Sequence, residues 1–434
     1  MRADRPNAQA IVAGPQKESV HLNENNFAAL GLAETLMRAL TAANFTTPTP
    51  IQSQAIPPLV GGSDLIGLAQ TGTGKTAAFA LPMLQRIAKH TTRPTPRMPR
   101  ALVLAPTREL ALQIAEATRT LGRFTHQRVA VVMGGVGIGG QGKILNQGVD
   151  ILVATPGRLL DVMEQGMVRL DRVEYFILDE ADRMLDMGFI RDIKKIVAKL
   201  PKERQSALFS ATMPNEIAGL ARELLKDPVQ VSVTPAQVTV DRIDQRVYFV
   251  DTAAKRTLLM ELLQAPEMSR VIVFTRTKHG ADRVAQHLEK GGVVAAAIHG
   301  NKSQGQRQRA LGEFKSGQAR VLVATDIAAR GIDVIDVSHV INFDLPMEPE
   351  AYVHRIGRTA RNGAAGIALT FCDHTERGQL RQIERLTKTP LVVAMGARTH
   401  APAGGEQERP RQQQRRPQQQ RGRGRGGNRP RRAA

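Results

Sequence analysis

Asp64-Leu-Ile-Gly-Leu68 runs straight into Ala69-Gln-Thr-Gly-Thr-Gly-Lys-Thr76, and Ala77–Leu81 carries on as an apolar, helix-forming stretch. An apolar strand, a Gly-rich turn and a helix in this order predict a phosphate-binding loop in a parallel α/β fold. Gly72 and Gly74 let the backbone turn tightly, so that N–H groups from Ala69 through Thr76 (Gln70, Thr71 and Thr73 included) face inward toward phosphate oxygens. Lys75 supplies a positive charge to the β- and γ-phosphates, and the Thr76 hydroxyl suits Mg²⁺. Ala69 stands where the usual pattern has glycine.

The pattern continues on both sides of this loop. Short apolar runs at Ala101–Ala105, Val129–Met133, Ile151–Ala154, Tyr175–Leu178 and Ala207–Phe209 alternate with amphipathic stretches. Val247–Val250, Val271–Phe274, Val293–Ile298, Val321–Ala324, Val340–Phe343 and Gly366–Phe371 continue the alternation. Leu110, Ile114 and Leu121 share one helical face, and Ile193, Ile196, Val197 and Leu200 share another. Continuous apolar strands between helices predict parallel sheets covered on both faces. The halves also echo each other. Ile151-Leu-Val-Ala-Thr155 recurs as Val321-Leu-Val-Ala-Thr325, Leu102–Ala105 as Val271–Phe274, and Val129–Gly135 as Val294–Gly300. Three echoes in the same order at nearly constant spacing predict two tandem α/β domains. The expected division is a flexible N-terminus over 1–24, a first domain over 25–232, a linker over 233–243 around Thr234-Pro235, a second domain over 244–395 and a tail over 396–434.

Charge adds a partner class. The chain has 434 residues, with 60 Lys and Arg against 40 Asp and Glu, a net charge of +20. From Gly396 to Ala434 eleven arginines face only Glu406 and Glu408, so this short segment carries +9 and the rest of the chain +11. With Gln-Gln-Gln-Arg-Arg-Pro and Arg421-Gly-Arg-Gly-Arg-Gly-Gly427 and no Leu, Ile, Val or Phe, the tail cannot bury enough surface to offset chain entropy, and disorder is expected. It reads either as a solvated tail or as an arm that neutralises phosphates; with the basic body, the distribution favours nucleic acid. Cys372 is the single cysteine, which excludes a disulfide framework and a Cys-based metal site. No apolar run is long enough to span a membrane, and no secretory signal is visible. A cytoplasmic protein is expected.

Two further motifs carry chemistry. Phe176-Ile-Leu-Asp-Glu-Ala-Asp182 is an apolar strand ending in acids. Asp179 falls at the strand's C-terminal end, where parallel sheets place ligands, and one carboxylate with water and phosphate oxygens suits Mg²⁺. Glu180 can orient and deprotonate an attacking water. The two motifs together imply hydrolysis of a nucleoside triphosphate. His354-Arg-Ile-Gly-Arg-Thr-Ala-Arg361 repeats arginine every third position, at Arg355, Arg358 and Arg361. On a helix these line one face, and His354 joins Arg358. Such a face serves as a solvated surface, a nucleic-acid clamp, or a set of arginines that reaches a γ-phosphate held by the other domain.

The ordered set over Phe27 to Phe371 resembles the DEAD-box RNA helicase family, whose name-giving tetrad is Asp179-Glu-Ala-Asp182. The resemblance implies two tandem RecA-like domains and an RNA-dependent ATPase with ATP and Mg²⁺ as cofactors. Phe45-Thr-Thr-Pro-Thr-Pro-Ile-Gln52 is similar to the Q motif, which implies that Phe45 stacks on adenine and Gln52 bonds its edge; Phe27 matches the upstream aromatic. Pro106-Thr107-Arg108, Gly134-Gly135 and Thr155-Pro-Gly157-Arg158 resemble the first domain's RNA-backbone contacts. Arg276, Gln304 with Arg307, and Thr325 resemble those of the second. Ser210-Ala-Thr212 resembles the motif linking hydrolysis to strand separation, with His354 coupled to Asp182. Asp333 in Arg330-Gly-Ile-Asp333 is similar to the acid near the ATP ribose. Arg358 and Arg361 match the family's arginine fingers. Ala360 and Asn301 depart from the commonest residues. The short N-terminus, the Arg-Thr-Ala-Arg ending and the basic tail look most like the bacterial RhlE group.

The implied activity is ATP hydrolysis on closure of two domains across RNA backbone, with local separation of short duplexes or remodelling of RNA–protein complexes. Backbone and 2′-OH contacts imply RNA selectivity with little sequence preference. A DNA translocase and an ATP-gated RNA clamp are the rival readings. Tail-driven condensation and partner proteins in ribosome assembly or RNA decay are compatible with the composition.

Overall fold

The computed structural model describes residues 26–70, 72–233, 243–329, 334, 336–360 and 365–397. The expected flexible N-terminus, most of the linker, Thr71, Asp333, Arg361 and the tail beyond residue 397 lie outside them.

The strands are four to seven residues long and, in most of the interior ones, apolar at every position. In the first half these are β1 (Leu65–Leu68), β2 (Ala101–Leu104), β3 (Val129–Val132), β4 (Ile151–Ala154), β5 (Tyr175–Asp179), β6 (Gln205–Ser210) and β7 (Val229–Ser232). They form one sheet in the order β3-β4-β2-β5-β6-β1-β7, with every pair parallel. The second half supplies β8 (Ile243–Phe249), β9 (Val271–Phe274), β10 (Ala295–Ile298), β11 (Val321–Ala324), β12 (His339–Asn342), β13 (Gly366–Cys372) and β14 (Val392–Met395). Their order, β10-β11-β9-β12-β13-β8-β14, repeats the first sheet strand for strand, again all parallel. The sequence echoes fall on the matching pairs β4/β11, β2/β9 and β3/β10. Two of them carry a one-residue slip: the ladders align Ala101, not Leu102, with Val271, and Val129 with Ala295.

Alternation along each strand divides the core between two faces. Ala101, Val103, Ile151, Val153 and Ile177 belong to one cluster, and Leu102, Leu104, Leu152, Ala154 and Leu178 to the other. The second sheet does the same, with Val271, Val273 and Val321 on one side and Ile272, Phe274 and Leu322 on the other. Helices cover both faces, so the interior strands have no polar face to show in the sequence. The edge strands β7 and β14, largely exposed, escaped sequence reading because they lack that apolar continuity. Among the described residues no helix is long and apolar enough to cross a membrane.

Candidate nucleotide site and RNA cleft

The C-terminal ends of β1, β5 and β6 gather the chemistry. The turn after β1 leads into the helix Lys75–Ile87, whose first residue is the lysine. Gly72 and Gly74 have φ of 89° and 93°, a left-handed backbone that side chains disfavour. A Cβ on Gly74 would also lie 2.4 Å from Gln52 Nε2, so nothing larger than glycine fits. Lys75 is buried and its Nζ donates to Ala69 O at 2.9 Å. Thr73 Oγ1 closes the turn on Gln70 O at 2.7 Å, and Ala69 N donates to Ser210 O, tying the loop to β6.

Gln52 is buried, and its amide clamps the upstream segment onto this loop. Its Oε1 accepts from Thr49 N at 2.9 Å and its Nε2 donates to Gly74 O at 3.1 Å. Phe45 is 40% exposed and Phe27 is buried beneath it, ring centroids 6.5 Å apart at 74°. A bare sequence reading would place both in the core; only Phe27 is there. Phe45, Gln52, Gly72, Gly74, Lys75, Thr76, Asp179 and Glu180 line one cavity of about 640 Å³, joined from the second half by Lys315.

Asp179 ends β5, and Glu180 follows at φ 55°, a strained left-handed residue just before the helix Ala181–Asp186 begins. Burial pushes the Asp179 carboxyl up to about 7, against the pull of Lys75. Burial acts on Glu180 in the same sense, but Arg183, Lys75 and Arg358 outweigh it and hold its carboxyl below the ordinary range. Arg183 Nη1 donates to Glu180 Oε2 at 3.0 Å; this partner was missed in the sequence, although its i,i+3 spacing from Glu180 is a usable signal. Asp182 is held ionised by Lys75 and by hydrogen bonds that overcome its burial. Its Oδ2 accepts from Ala211 N, Thr212 N and Thr212 Oγ1 at 3.1, 2.9 and 3.0 Å, while its own N–H donates to Ser210 Oγ.

The arginine reading needs correction. The helix Pro349–Ile356 ends at Gly357, so Arg358 is beyond it and shares no helical face with His354 or Arg355. Arg355 is buried, bound through both nitrogens to Asp326 at 2.6 and 2.7 Å, and stacked over Phe274. It is a structural residue. Arg358, also buried, lies past the helix end, and its charge is among those that lower the Glu180 carboxyl. His354 lines a small cleft with Arg358 and Asp326.

A second cleft, about 420 Å³, is lined by Pro106, Thr107, Arg108, Gly135, Thr155, Gly157 and Arg158 from the first half and Arg307 from the second. Thr107 caps the helix Arg108–Leu121 by accepting from Leu110 N. Arg108 lies flat over Gly135, where a Cβ would meet Nη1 at 2.2 Å. Glu109, missed in the sequence, sits beneath as the bridge between halves. Its Oε2 accepts from Arg307 Nη2 at 2.9 Å and its Oε1 from Gln304 Nε2 at 3.2 Å. Arg307 is therefore buried in an ion pair at the wall of this cleft. Arg276 and Thr325 do not line this cleft. Arg276 Nη2 donates to Glu376 Oε1 at 2.5 Å, and Thr325 caps the short helix Asp326–Ala329.

Oxygen donors at the nucleotide end fit a hard cation. Among the described residues no group of three or more His, Cys, Asp or Glu could hold a metal alone. The Thr76 hydroxyl and the single Asp179 carboxylate share the cavity instead, leaving the other positions to phosphate and water, as Mg²⁺ prefers.

Comparison with known proteins agrees with this geometry. The family described as DEAD/DEAH box helicase matches residues 49–220, and the helicase conserved C-terminal domain matches residues 254–363. The DEAD-box ATP-dependent RNA helicase CshA of Geobacillus kaustophilus is 45% identical over 367 residues, covering 84% of this chain and 77% of that protein. Dbp5 of S. cerevisiae bound to RNA and ADP BeF3 is 32% identical and superposes with a TM-score of 0.74 over 86% of this chain and 95% of its own. A variant of the same yeast protein bound to Nup159, Gle1, IP6 and ADP is 31% identical and superposes at 0.59, over 84% and 96%.

Proposed function

The chain belongs to the DEAD-box ATP-dependent RNA helicases, enzymes that hydrolyse ATP, and from that premise we propose how its own residues run the cycle. ATP enters the 640 Å³ cavity with its base against exposed Phe45 and its phosphates in the turn around Gly72 and Gly74. Lys75 exchanges the Ala69 carbonyl for a phosphate oxygen. Thr76 and Asp179 hold Mg²⁺, which neutralises charge on the phosphates when bound. Glu180, kept ionised by its cationic neighbours, accepts the proton of the attacking water. Arg358, and Arg361 by the family pattern, stabilise the transferring phosphoryl group. Asp333 meets the ribose by the same pattern. Asp182, tied to Ser210 and Thr212, carries the state of the site to the end of β6, with His354 as its counterpart across the cleft.

RNA backbone binds along Arg108, Gly135, Thr155, Gly157 and Arg158, with Arg307 on the wall of the same cleft; Arg276, held by Glu376, and Thr325 join them by the family pattern alone. The two sheets, β1–β7 and β8–β14, support a division into domains over 25–232 and 244–395 joined by a linker over 233–243. The observation behind this reading is that Glu109 of the first half bonds both Gln304 and Arg307 of the second and Arg108 reaches Gln304, while the Arg358 charge is near enough to lower the Glu180 carboxyl. These contacts exist only when the halves are together, and the superposition is better on the RNA- and ADP BeF3-bound yeast protein. ATP and RNA each favour this arrangement, so each tightens the other, as linkage requires. Steady-state ATPase with matched RNA and DNA oligomers tests the reading. Stimulation by RNA alone is expected; no stimulation by RNA removes coupled closure, and equal stimulation by DNA favours a translocase. The RhlE-like grouping rests on the Arg-Thr-Ala-Arg ending and the basic tail, set beside relatives that carry the name CshA. A cytoplasmic setting rests on the lone, buried Cys372.

A further inference from the structure

The ATP and RNA clefts lie at the C-terminal ends of the first sheet's strands. The opposite end holds a larger cavity, about 770 Å³, which none of the family's motifs line. Arg128 immediately precedes β3, Asp150 precedes β4, and Arg93 and Phe124 come from the loops above. The volume falls within the range of about 300–1,000 Å³ typical of small-ligand sites.

The electrostatics at this end are one-sided. Asp150, the only acid lining the cavity, is already satisfied by Arg100 Nη1 at 2.5 Å and by Arg128 N at 2.9 Å. Arg38, Arg93, Arg123 and Arg128 form no ion pair with a described carboxylate. Arg128 is held in place by its Nη1, which donates to Gln147 O at 3.1 Å. Phe124 is 37% exposed, with the Arg38 guanidinium 4.5 Å and that of Arg123 5.5 Å from its ring centroid. The lining residue Gln127 keeps Oε1 buried without a hydrogen-bond partner.

An exposed aromatic ring flanked by guanidinium groups, beside arginines with no carboxylate partner among the described residues, is the chemistry that binds single-stranded nucleic acid without regard to sequence. We infer that this end of the first sheet is a second binding surface for single-stranded RNA, with a base stacked at Phe124 and backbone phosphates on Arg93 and Arg128. The inference rests on RNA being the polynucleotide this enzyme acts on. Because the surface and the cleft lie at opposite ends of the same strands, one RNA long enough to leave the cleft can occupy both. The surface would anchor the enzyme to a flanking strand while the cleft opens and closes.

The test compares the full chain with Arg93→Gln/Arg128→Gln and, separately, Phe124→Ala. Each binds a short RNA that fills only the cleft and a longer RNA of the same composition. For the long RNA, roughly tenfold weaker binding is expected in each variant. The double variant should also flatten the log–log salt dependence by about 1.4, or about 0.7 per lost phosphate contact. Short-RNA affinity and ATPase at saturating short RNA should match wild type, which also certifies the fold. Thiouridine-containing long RNA should cross-link wild-type protein within 123–128. Unchanged long-RNA affinity and salt slope in both variants, or cross-links confined to the cleft, overturn the inference; an acidic peptide as the true occupant gives that result. Loss of short-RNA stimulation in wild type would instead sink the coupled-closure reading.

Discussion

The two lobes share one strand order, yet the lysine that opens the helix after the first strand serves opposite purposes in them. In the first lobe Lys75 meets a single backbone carbonyl at the edge of an open cavity. In the second, Lys255 opens the helix Lys255–Leu262 after β8 and is sealed among acids. Its Nζ is 2.6 Å from Glu376 Oε2, 3.6 Å from Asp373 Oδ2 and 3.7 Å from Asp344 Oδ1. The correspondence extends to the carboxylates. With Ala101 aligned on Val271, Tyr175 and His339 occupy equivalent rungs, so Glu180 and Asp344 are equivalent positions. What differs is the turn. Gly72 and Gly74 open the first lobe's loop, while Val250-Asp-Thr-Ala-Ala254 has no glycine, and its neighbours fill the space with negative charge that would repel phosphate. The second lobe keeps the frame of a phosphate site but satisfies its lysine internally. In the proposed cycle it contributes Arg358 to the first lobe's site instead.

That division of labour predicts where damage is greatest. If the second lobe's part in hydrolysis is the charge it carries across the cleft, Arg358→Ala should lower RNA-stimulated kcat by roughly 10³–10⁵ while ATP binding persists. A loss below tenfold would mean that the lobe only closes the site. Within the first lobe, Glu180→Gln should keep ATP binding and lower kcat by roughly 10²–10⁴. Hydrolysis at the wild-type rate in single-turnover measurements would remove Glu180 as the base. The corresponding change in the other lobe, Asp344→Asn, should leave the chemical step alone.

The comparison sharpens at Lys255. Lys255→Met leaves Glu376, Asp373 and Asp344 without their shared cation, and breaking a buried pair from one side costs about 3–5 kcal/mol. Denaturant unfolding should show the second lobe destabilised by that order, with nucleotide affinity at the first lobe retained. A change under about 1 kcal/mol would show that water replaces the lysine and that the cluster is not sealed.

Much of this was legible in the residues. The interior strands announced themselves because burial on both faces forces continuous apolar runs, and three of those runs gave the duplication. The phosphate turn and the acids after β5 were legible because their chemistry fixes residue type and spacing. What escaped depends on side chains meeting across long sequence separations. Glu109 reads as an ordinary helix acid until Arg307 and Gln304 arrive from the other lobe. Lys255 reads as a surface charge until β12 and β13 bring its acids. Arg355 and Arg358 look alike in a three-residue repeat, and only the helix ending at Gly357 separates Arg355, locked onto Asp326, from Arg358 beyond it. The bonds that Gln52 makes to Thr49 and Gly74 escaped as well, because they need the upstream segment folded onto the glycine turn.

The smallest effect is also the most discriminating, because the lobes' strand-end acids should respond to pH with opposite sign. In protein free of nucleotide and metal, burial raises Asp179 from 3.8 to about 7. The folded state therefore holds a proton that the unfolded state releases, and this contribution to stability declines as pH rises from about 4 to 7. Burial also acts upward on Asp373, but hydrogen bonds from Thr375 and Thr252 and the charge of Lys255 bring it from 3.8 down to about 2. Its contribution is fully present above about pH 4 and is lost as pH falls toward 2. Asp179→Asn should therefore gain thermal stability relative to wild type as pH rises from about 5 to 8. Asp373→Asn should lose stability relative to wild type at neutral pH and converge on it in acid. If the two difference curves slope the same way, the first lobe's carboxylate is not buried with too little cationic charge to offset that burial, and the contrast between the two lysines fails.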